Sequence, residues 1–345
     1  MDDDLKNKLK LFPRTRYMGS KQKLTSFIYD NVKDLHFDTA LDAFSGSGSV
    51  SFLFKVMGKE VHTNDFLKYS YFMTKALIEN NNITLTTDDI NSLLYKNHNN
   101  QRFISTNFKG LYFTDEENIF IDNTYANIKK INNQYKQALA LAALARACVK
   151  KRARGIFTFT GMRYDDGRPD LQISIENHFV EAIKQFNKAV FDNQQNNKSF
   201  NQEVFALEKT DYDLVYIDPP YVTQSSDNDY SRRYHFVEGL MSYWSHVKIN
   251  YNTSTKKFDK IKTPFESKSS IYMAFDNLFK KFNNSILVVS YSSTSIPTME
   301  EMIKIMKKYK KNVSILGLTH RYSFGNQKKG LKNNVVKEYL FIGTD

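Results

Sequence analysis

The sequence predicts an α/β protein: a doubly wound, mostly parallel sheet carrying a mainly helical insertion that contains a β-hairpin. Three observations predict it. Short apolar strands alternate with helical stretches up to about Glu79, the strand pattern resumes after residue 202, and the 84–201 segment between is helical almost throughout.

Residues 39–44 form an apolar strand that runs into Ser45-Gly46-Ser47-Gly48, followed by an apolar helical stretch to Met57. Residues 60–64 read as a second strand with a helix after it, a βαβα opening. The pattern then breaks. Ala- and Leu-rich residues 135–149 read as a helix, and residues 156–160 and 170–174 flank a turn-rich centre holding Asp166-Gly167, the pattern of a hairpin. Strands resume at 203–207 and 214–217 and follow at 285–291, 312–316 and 335–342, with a mobile polar loop expected near 248–263. One domain made of 1–83 and 202–345, interrupted by an inserted unit at 84–201, accounts for this order.

Composition narrows the function classes. At 41% hydrophobic the 345-residue chain can bury a core, yet its longest apolar run, 138–145, is far short of the roughly 20 residues of a membrane span. The opening Met1-Asp-Asp-Asp-Leu-Lys lacks the basic-then-apolar order of a signal peptide. One cysteine, Cys148, permits no internal disulfide, and no His/Cys cluster has zinc-like spacing, so a cytoplasmic, metal-free protein is expected. Lys plus Arg exceed Asp plus Glu by 49 to 37, a net charge of +12. That excess suits a nucleic acid, and it equally suits a chain rich in Asn and Lys throughout.

Asp218-Pro219-Pro220-Tyr221 closes an apolar strand at the carboxyl end of a parallel sheet, where open α/β proteins place ligands. The group suits an amine whose lone pair is delocalised into a ring, such as the exocyclic amine of adenine. The Asp218 carboxylate and the Pro219 carbonyl can each accept one amine hydrogen, which localises the lone pair toward an electrophile. Pro220 restricts the residue before it and so aims that carbonyl. Tyr221 offers a ring on which a flipped base can stack. The plainer reading is a Pro-Pro stop after a strand, with a surface tyrosine.

In Ser45-Gly46-Ser47-Gly48, glycine lets the backbone approach a ligand closely. Ser51 stands where the dinucleotide fingerprint has its third glycine, which counts against a nicotinamide or flavin enzyme. Asp65 follows Gly46 by 19 residues, just past the second strand, where an acid accepts hydrogen bonds from ribose hydroxyls. Turn and acid together point to an adenosine-type ligand; alternatively they are a structural turn and a helix cap. Upstream, Arg16-Tyr17-Met18-Gly19-Ser20-Lys21 reads as a turn into a helix capped by Ser20. Its N-terminus and Lys21 suit a ligand carboxylate, unless this is an ordinary basic helix start.

Together these segments resemble the alpha-class, Dam-like DNA adenine methyltransferases, over nearly all the chain from Arg14 onward. The resemblance implies the Rossmann-like methyltransferase fold, S-adenosylmethionine as methyl donor without a metal, and transfer to the N6 amine of an adenine flipped out of duplex DNA. It implies a donor site of Tyr17, Lys21, Asp42, Phe44, Gly46, Gly48, Asp65 and Asp218, and a catalytic set of Asp218, Pro219, Pro220 and Tyr221. Residues 233–240, 288–293 and 338–343 also resemble family elements. Asp42 stands where relatives often carry Glu, and around 203–209 only Glu208 matches the residue that relatives set against the donor's adenine. Motif order assigns 1–83 and 202–345 to catalysis and leaves 84–201 as the target-recognition domain. A restriction endonuclease is the expected partner in a restriction–modification system. Cytosine-N4 methylation, RNA or protein-amide methylation, and a non-catalytic DNA-binding module on the same fold are the alternatives; Asp at 218 favours adenine.

Within the insertion, Lys150-Lys-Arg152-Ala-Arg154 directly precedes the expected hairpin and reads as a phosphate contact, with Arg163 and Arg168 at the tip reaching base edges. Otherwise the run is a solvated charge cluster, and base reading falls to the loop carrying Arg232 and Arg233.

Overall fold

The computed structural model describes residues 1–96, 102–161, 167–223, 230–321 and 335–345. Nine strands form among them: β1 (Thr39–Asp42), β2 (Glu60–Asn64), β3 (Lys198–Phe200), β4 (Leu214–Ile217), β5 (Val222–Thr223), β6 (Ile286–Ser292), β7 (Ser295–Ile296), β8 (Asn312–Arg321) and β9 (Val335–Thr344). Seven make one sheet in the order β3-β2-β1-β4-β6-β9-β8, and β5 pairs with β7 separately. The first five of the seven run parallel, while β9 is antiparallel to both of its neighbours.

The strands read as continuous apolar runs because both faces of the sheet are covered. Ala40, Leu214, Tyr216, Val288, Leu340 and Ile342 join the hydrophobic cluster on one face; Leu41, Val215, Ile217, Leu287, Val289 and Phe341 join the other. Strand order reverses between β1 and β4, which opens a crevice at their carboxyl ends. At the opposite end the Asp213 carboxylate accepts from the backbone N–H groups of Asp38 and Thr39 and from the Thr39 hydroxyl, which pins the β1–β4 register.

The 84–201 segment is mainly helical, with helices at Thr87–Leu94, Phe103–Asn107, Asp115–Ile128, Gln134–Lys151 and Ile175–Ala189. Every side chain from Ala138 to Val149 is buried, so this helix is apolar on all sides. It packs against both Ile175–Ala189 and Lys68–Thr74 and belongs to the same cluster as one face of the sheet. The last residues of the segment form β3, which pairs with β2 at the sheet edge. No helix among the described residues is long and apolar enough to cross a membrane.

Three local expectations are corrected. The hairpin at 156–160 and 170–174 does not form. Pro169 opens a 3-10 turn and Ser174 caps the helix Ile175–Ala189, so the second arm is taken up by a helix start. The carbonyls of the first arm bond to side chains instead of a partner strand: Phe157 O to His235, Phe159 O and Gly161 O to Arg152. Residues 203–207 hold a 3-10 turn (Val204–Ala206) rather than a strand, and the sheet takes β3 instead. The supposed mobile loop at 248–263 is pinned, with Ile249 bridged to Phe258 and the Tyr112 hydroxyl donating to the Thr255 carbonyl at 2.6 Å.

Arg152 is therefore not a phosphate contact. Its side chain is 1% exposed, and its guanidinium donates to the carbonyls of Phe159 (2.8 Å), Gly161 (3.1 Å) and Tyr112 (3.3 Å). Arg152→Ala removes the donor to three carbonyls, of which that of Tyr112 is buried, and leaves a cavity; it is expected to cost about 3 kcal/mol of stability. Chemical denaturation measures this, and the salt dependence of DNA binding by the folded variant is expected to match wild type.

Candidate active site

β1 and β2 deliver two acids to the crevice. One Asp42 oxygen accepts from the Ser51 hydroxyl at 2.5 Å; the other, Oδ1, is buried without a hydrogen-bond partner among the described residues. Burial outweighs the Ser51 bond and pushes the Asp42 carboxyl up to about 7. Asp65 straps the glycine loop to the chain beyond β2: its two oxygens accept from the N–H groups of Gly46 and Leu67, both at 2.9 Å. Burial lifts its carboxyl to about 6.

Gly46 and Gly48 both have positive φ, +50° and +77°, which favours glycine. A Cβ on Gly46 would stand 3.1 Å from the Tyr17 ring, so the loop lies directly under that aromatic. Gly48 sits deeper, at the start of the helix Ser49–Val56 against Thr74.

The N-terminal segment is fastened over this loop. Ser20 caps a 3-10 turn, Lys21–Leu24, and its hydroxyl lies 3.0 Å from that of Ser47. Tyr17 stacks on Tyr234 with ring centroids 5.1 Å apart, and the Tyr234 hydroxyl accepts from the Met18 N–H. Lys21, 3% exposed, donates to the Gly19 carbonyl and reaches both oxygens of Asp218 at 2.7 Å.

Asp218 follows β4 directly. Burial raises its carboxyl, with the Lys21 ammonium opposing. The Tyr221 hydroxyl lies 3.0 Å from Asp218 Oδ1 and 3.1 Å from Glu338 Oε2. Lys21 Nζ stands 4.9 Å from the centre of the Tyr221 ring, and Tyr291 meets that ring at an angle of 75°.

One cleft of about 600 Å³ brings these groups together. Tyr17, Lys21, Asp42, Phe44, Gly46, Asp65, Asp218, Pro219 and Pro220 stand in its wall. Gly48 and Tyr221 are not among its lining residues: Gly48 shapes the turn and Tyr221 holds Asp218. Residues 17–305 match the sequence pattern of the D12 class N6 adenine-specific DNA methyltransferases. The chain belongs to that family.

Among curated D12-like relatives, the chain is 29% identical to the type II methyltransferase M2.HphI of Haemophilus parahaemolyticus, over 96% of this chain and 97% of that protein. It is 28% identical to M.FokI of Planomicrobium okeanokoites over 85% of this chain, but spans only 47% of that longer protein. It is 24% identical to M.CviAII of Paramecium bursaria Chlorella virus 1 over 95% of this chain and 98% of the relative.

Of the basic candidates in this D12 family chain, Arg163 lies outside the described residues. Lys150 and Lys151, expected to meet phosphate, are ion-paired with Asp170 (3.5 Å) and Glu117 (3.0 Å). Arg154 and Arg168 are half-buried, Arg233 is half-buried and Arg232 exposed. The Phe157 N–H donates to the Arg233 carbonyl, so the segments carrying Arg154 and Arg233 run side by side.

Three site residues lie in the segments 233–240 and 338–343, which the sequence reading matched to family elements without giving any of the three a role. Glu238 accepts from the N–H groups of Lys68 and Tyr69, which anchors the helix that follows Asp65. Tyr234 backs Tyr17. Glu338 is 1% exposed on β9. Period-two alternation could have found it, because Glu338 shares a face with Leu340 and Ile342, and an acid on a buried strand face is a functional signal.

Asp42 carries a pH signature. The folded carboxyl keeps its proton up to about pH 7, the unfolded one only to its ordinary value of 3.8. Ionised Asp42 therefore destabilises the fold above pH 7, and the penalty disappears as pH falls toward 4. Asp42→Asn keeps the acceptor for Ser51 and is expected to raise stability at pH 8 by on the order of 2 kcal/mol. Melting curves at pH 8 and pH 4.5 check this, the gain being absent at the lower value.

Proposed function

We propose that this D12 enzyme transfers methyl from S-adenosylmethionine to the N6 amine of an adenine flipped out of duplex DNA, as the modifying half of a restriction–modification system. The observation that carries the reading is Asp218: a carboxylate, 16% exposed, at the carboxyl end of β4, facing the cleft that the glycine loop and Asp65 line.

The residues present fit the donor. The unpartnered buried Asp42 Oδ1 suits an ammonium, and Asp65, whose oxygens each accept one backbone N–H, keeps lone pairs for ribose hydroxyls. Gly46 lets the loop pass close under the Tyr17 ring, where a Cβ would stand 3.1 Å from it. Lys21 and the Ser20 turn suit a carboxylate. When bound, the donor supplies a methyl carbon made electrophilic by its sulfonium.

Everything else is the work of the chain's own groups. Asp218 and the Pro219 carbonyl accept the two amine hydrogens and turn the lone pair toward the methyl. Lys21 opposes the effect of burial and keeps Asp218 an acceptor. The aid is preorganised electrostatics and positioning, with no covalent intermediate on the enzyme. Stacking of the base on Tyr221 requires Lys21 to leave that ring, or the base to use its other face.

The segment 84–201 is proposed to serve target recognition, with duplex DNA also meeting Arg232 and Arg233 beside the catalytic strand. The names of the type II relatives support a nuclease partner.

Incubation of duplex DNA with labelled donor, followed by nucleoside analysis, is expected to yield N6-methyladenine; N4-methylcytosine or methylated RNA would overturn the reading. Asp218→Ala is expected to lower the rate by at least about 100-fold while DNA affinity survives; retention of a tenth of the rate refutes the role. Arg232→Ala with Arg233→Ala is expected to weaken binding to duplexes of all sequences and to reduce the salt slope by about 2, as binding titrations across salt concentrations would register.

A further inference from the structure

Glu338 is a buried acid on a strand face that it shares with Leu340 and Ile342. It sits on β9, opposite Ser292 on β6 and Leu318 on β8, and is 1% exposed. Its Oε2 lies 3.1 Å from the Tyr221 hydroxyl, which is 3.0 Å from Asp218 Oδ1. Two carboxyl groups thus share one phenol, and a phenol has a single hydrogen. Both contacts are hydrogen bonds only when the three groups together hold one proton beyond the phenol's own.

Resting on the adenine N6 reading above, we propose that Glu338 is a positioning residue that acts through Tyr221, orienting Asp218 and taking up the proton that the amine releases. Methyl transfer forms the N–C bond, breaks the C–S bond and leaves an excess proton on the nitrogen. That proton passes to Asp218. Asp218 then donates to the Tyr221 oxygen while the Tyr221 hydroxyl donates to Glu338, so both contacts are satisfied. Shifting each proton along its bond leaves Asp218 ionised, Tyr221 neutral and Glu338 protonated, with no net gain or loss of atoms or charge.

The Lys21 ammonium touches both Asp218 oxygens and favours negative charge there. Among the described residues, Tyr216 on β4, Tyr291 on β6 and Asp42 on β1 are further titratable groups near these three. The two tyrosines are held neutral by burial, and Asp42 keeps its proton up to about pH 7. Lys337 and Tyr339 flank Glu338 along the strand and point to the opposite face.

The test is single-turnover methyl transfer from labelled donor to a duplex carrying the target site, between pH 5 and pH 9, for wild type, Glu338→Gln, Glu338→Asp and Tyr221→Phe. Gln keeps the shape and the bond to the phenol but cannot take the proton. Glu338→Gln is expected to slow transfer about tenfold or more with donor and DNA affinities within twofold. Its acid limb is expected to move to lower pH, because the neighbouring anion that raises the Asp218 carboxyl is gone. Glu338→Asp restores part of the rate and the limb. Tyr221→Phe, which cuts the chain while leaving Glu338 in place, gives a defect that Glu338→Gln does not deepen in the double variant. A Glu338→Gln rate within twofold of wild type overturns the inference, and so do Gln and Asp variants equally slow with an unmoved acid limb. An active wild type with an indifferent Glu338 sinks only this inference; a wild type that leaves adenine unmethylated sinks both readings.

Discussion

The ion pair between Lys21 and Asp218 joins two stretches of chain 197 residues apart, and the site depends on it. Taking both charges out of water costs several kcal/mol, which attraction in the interior offsets only when the geometry is good. Here both carboxylate oxygens meet the same ammonium at 2.7 Å, and the Gly19 carbonyl takes a further hydrogen. The pair is better understood as specifying an arrangement than as adding stability. It draws the N-terminal segment across the end of the sheet, where Ser20 meets Ser47 and Tyr17 covers Gly46. Glycine loop, aromatic lid and catalytic strand become one wall.

Around that pair the chain gathers carboxyl groups it keeps from water: Asp42, Asp65, Glu238 and Glu338 are buried, and Asp218 is 16% exposed. Burial pushes Asp42 and Glu238 up to about 7 and Asp65 to about 6, so these acids strain the fold at neutral pH. The chain as a whole carries a net charge of +12. Positive charge overall with negative charge concentrated at the bottom of one cleft suits two different jobs. On the proposed function, the outer excess would meet phosphates through long-range attraction, and the inner acids would receive amine hydrogens and a cationic ligand group at short range.

Much of this was legible in the sequence, because the signals are local. Apolar strands at 39–44 and 214–217 are visible as such since both faces of a parallel sheet are buried, and the glycine turn, Asp65 and the Asp-Pro-Pro-Tyr segment sit at strand ends by connectivity alone. The failures share a cause. Residues 156–160 alternate like a strand, but their carbonyls bond to Arg152 and His235, side chains that the pattern cannot place. Arg152 looked like surface charge because its neighbours are Lys150, Lys151 and Arg154; only the cavity formed by Tyr112 and Phe159 turns it inward.

By itself, the sequence determined strands β1, β2, β4, β6, β8 and β9 in their order and the cleft's position at the strand switch, since backbone propensity and strand connectivity act over a few residues. Only the tertiary structure decided what each charge does. Whether Lys21 meets Asp218, whether Arg152 faces solvent or three carbonyls, and whether Glu338 reaches Tyr221 depend on contacts between residues far apart in the chain. A charged side chain has no preferred burial of its own; the partner it finds in the folded interior sets its cost, its protonation and its role.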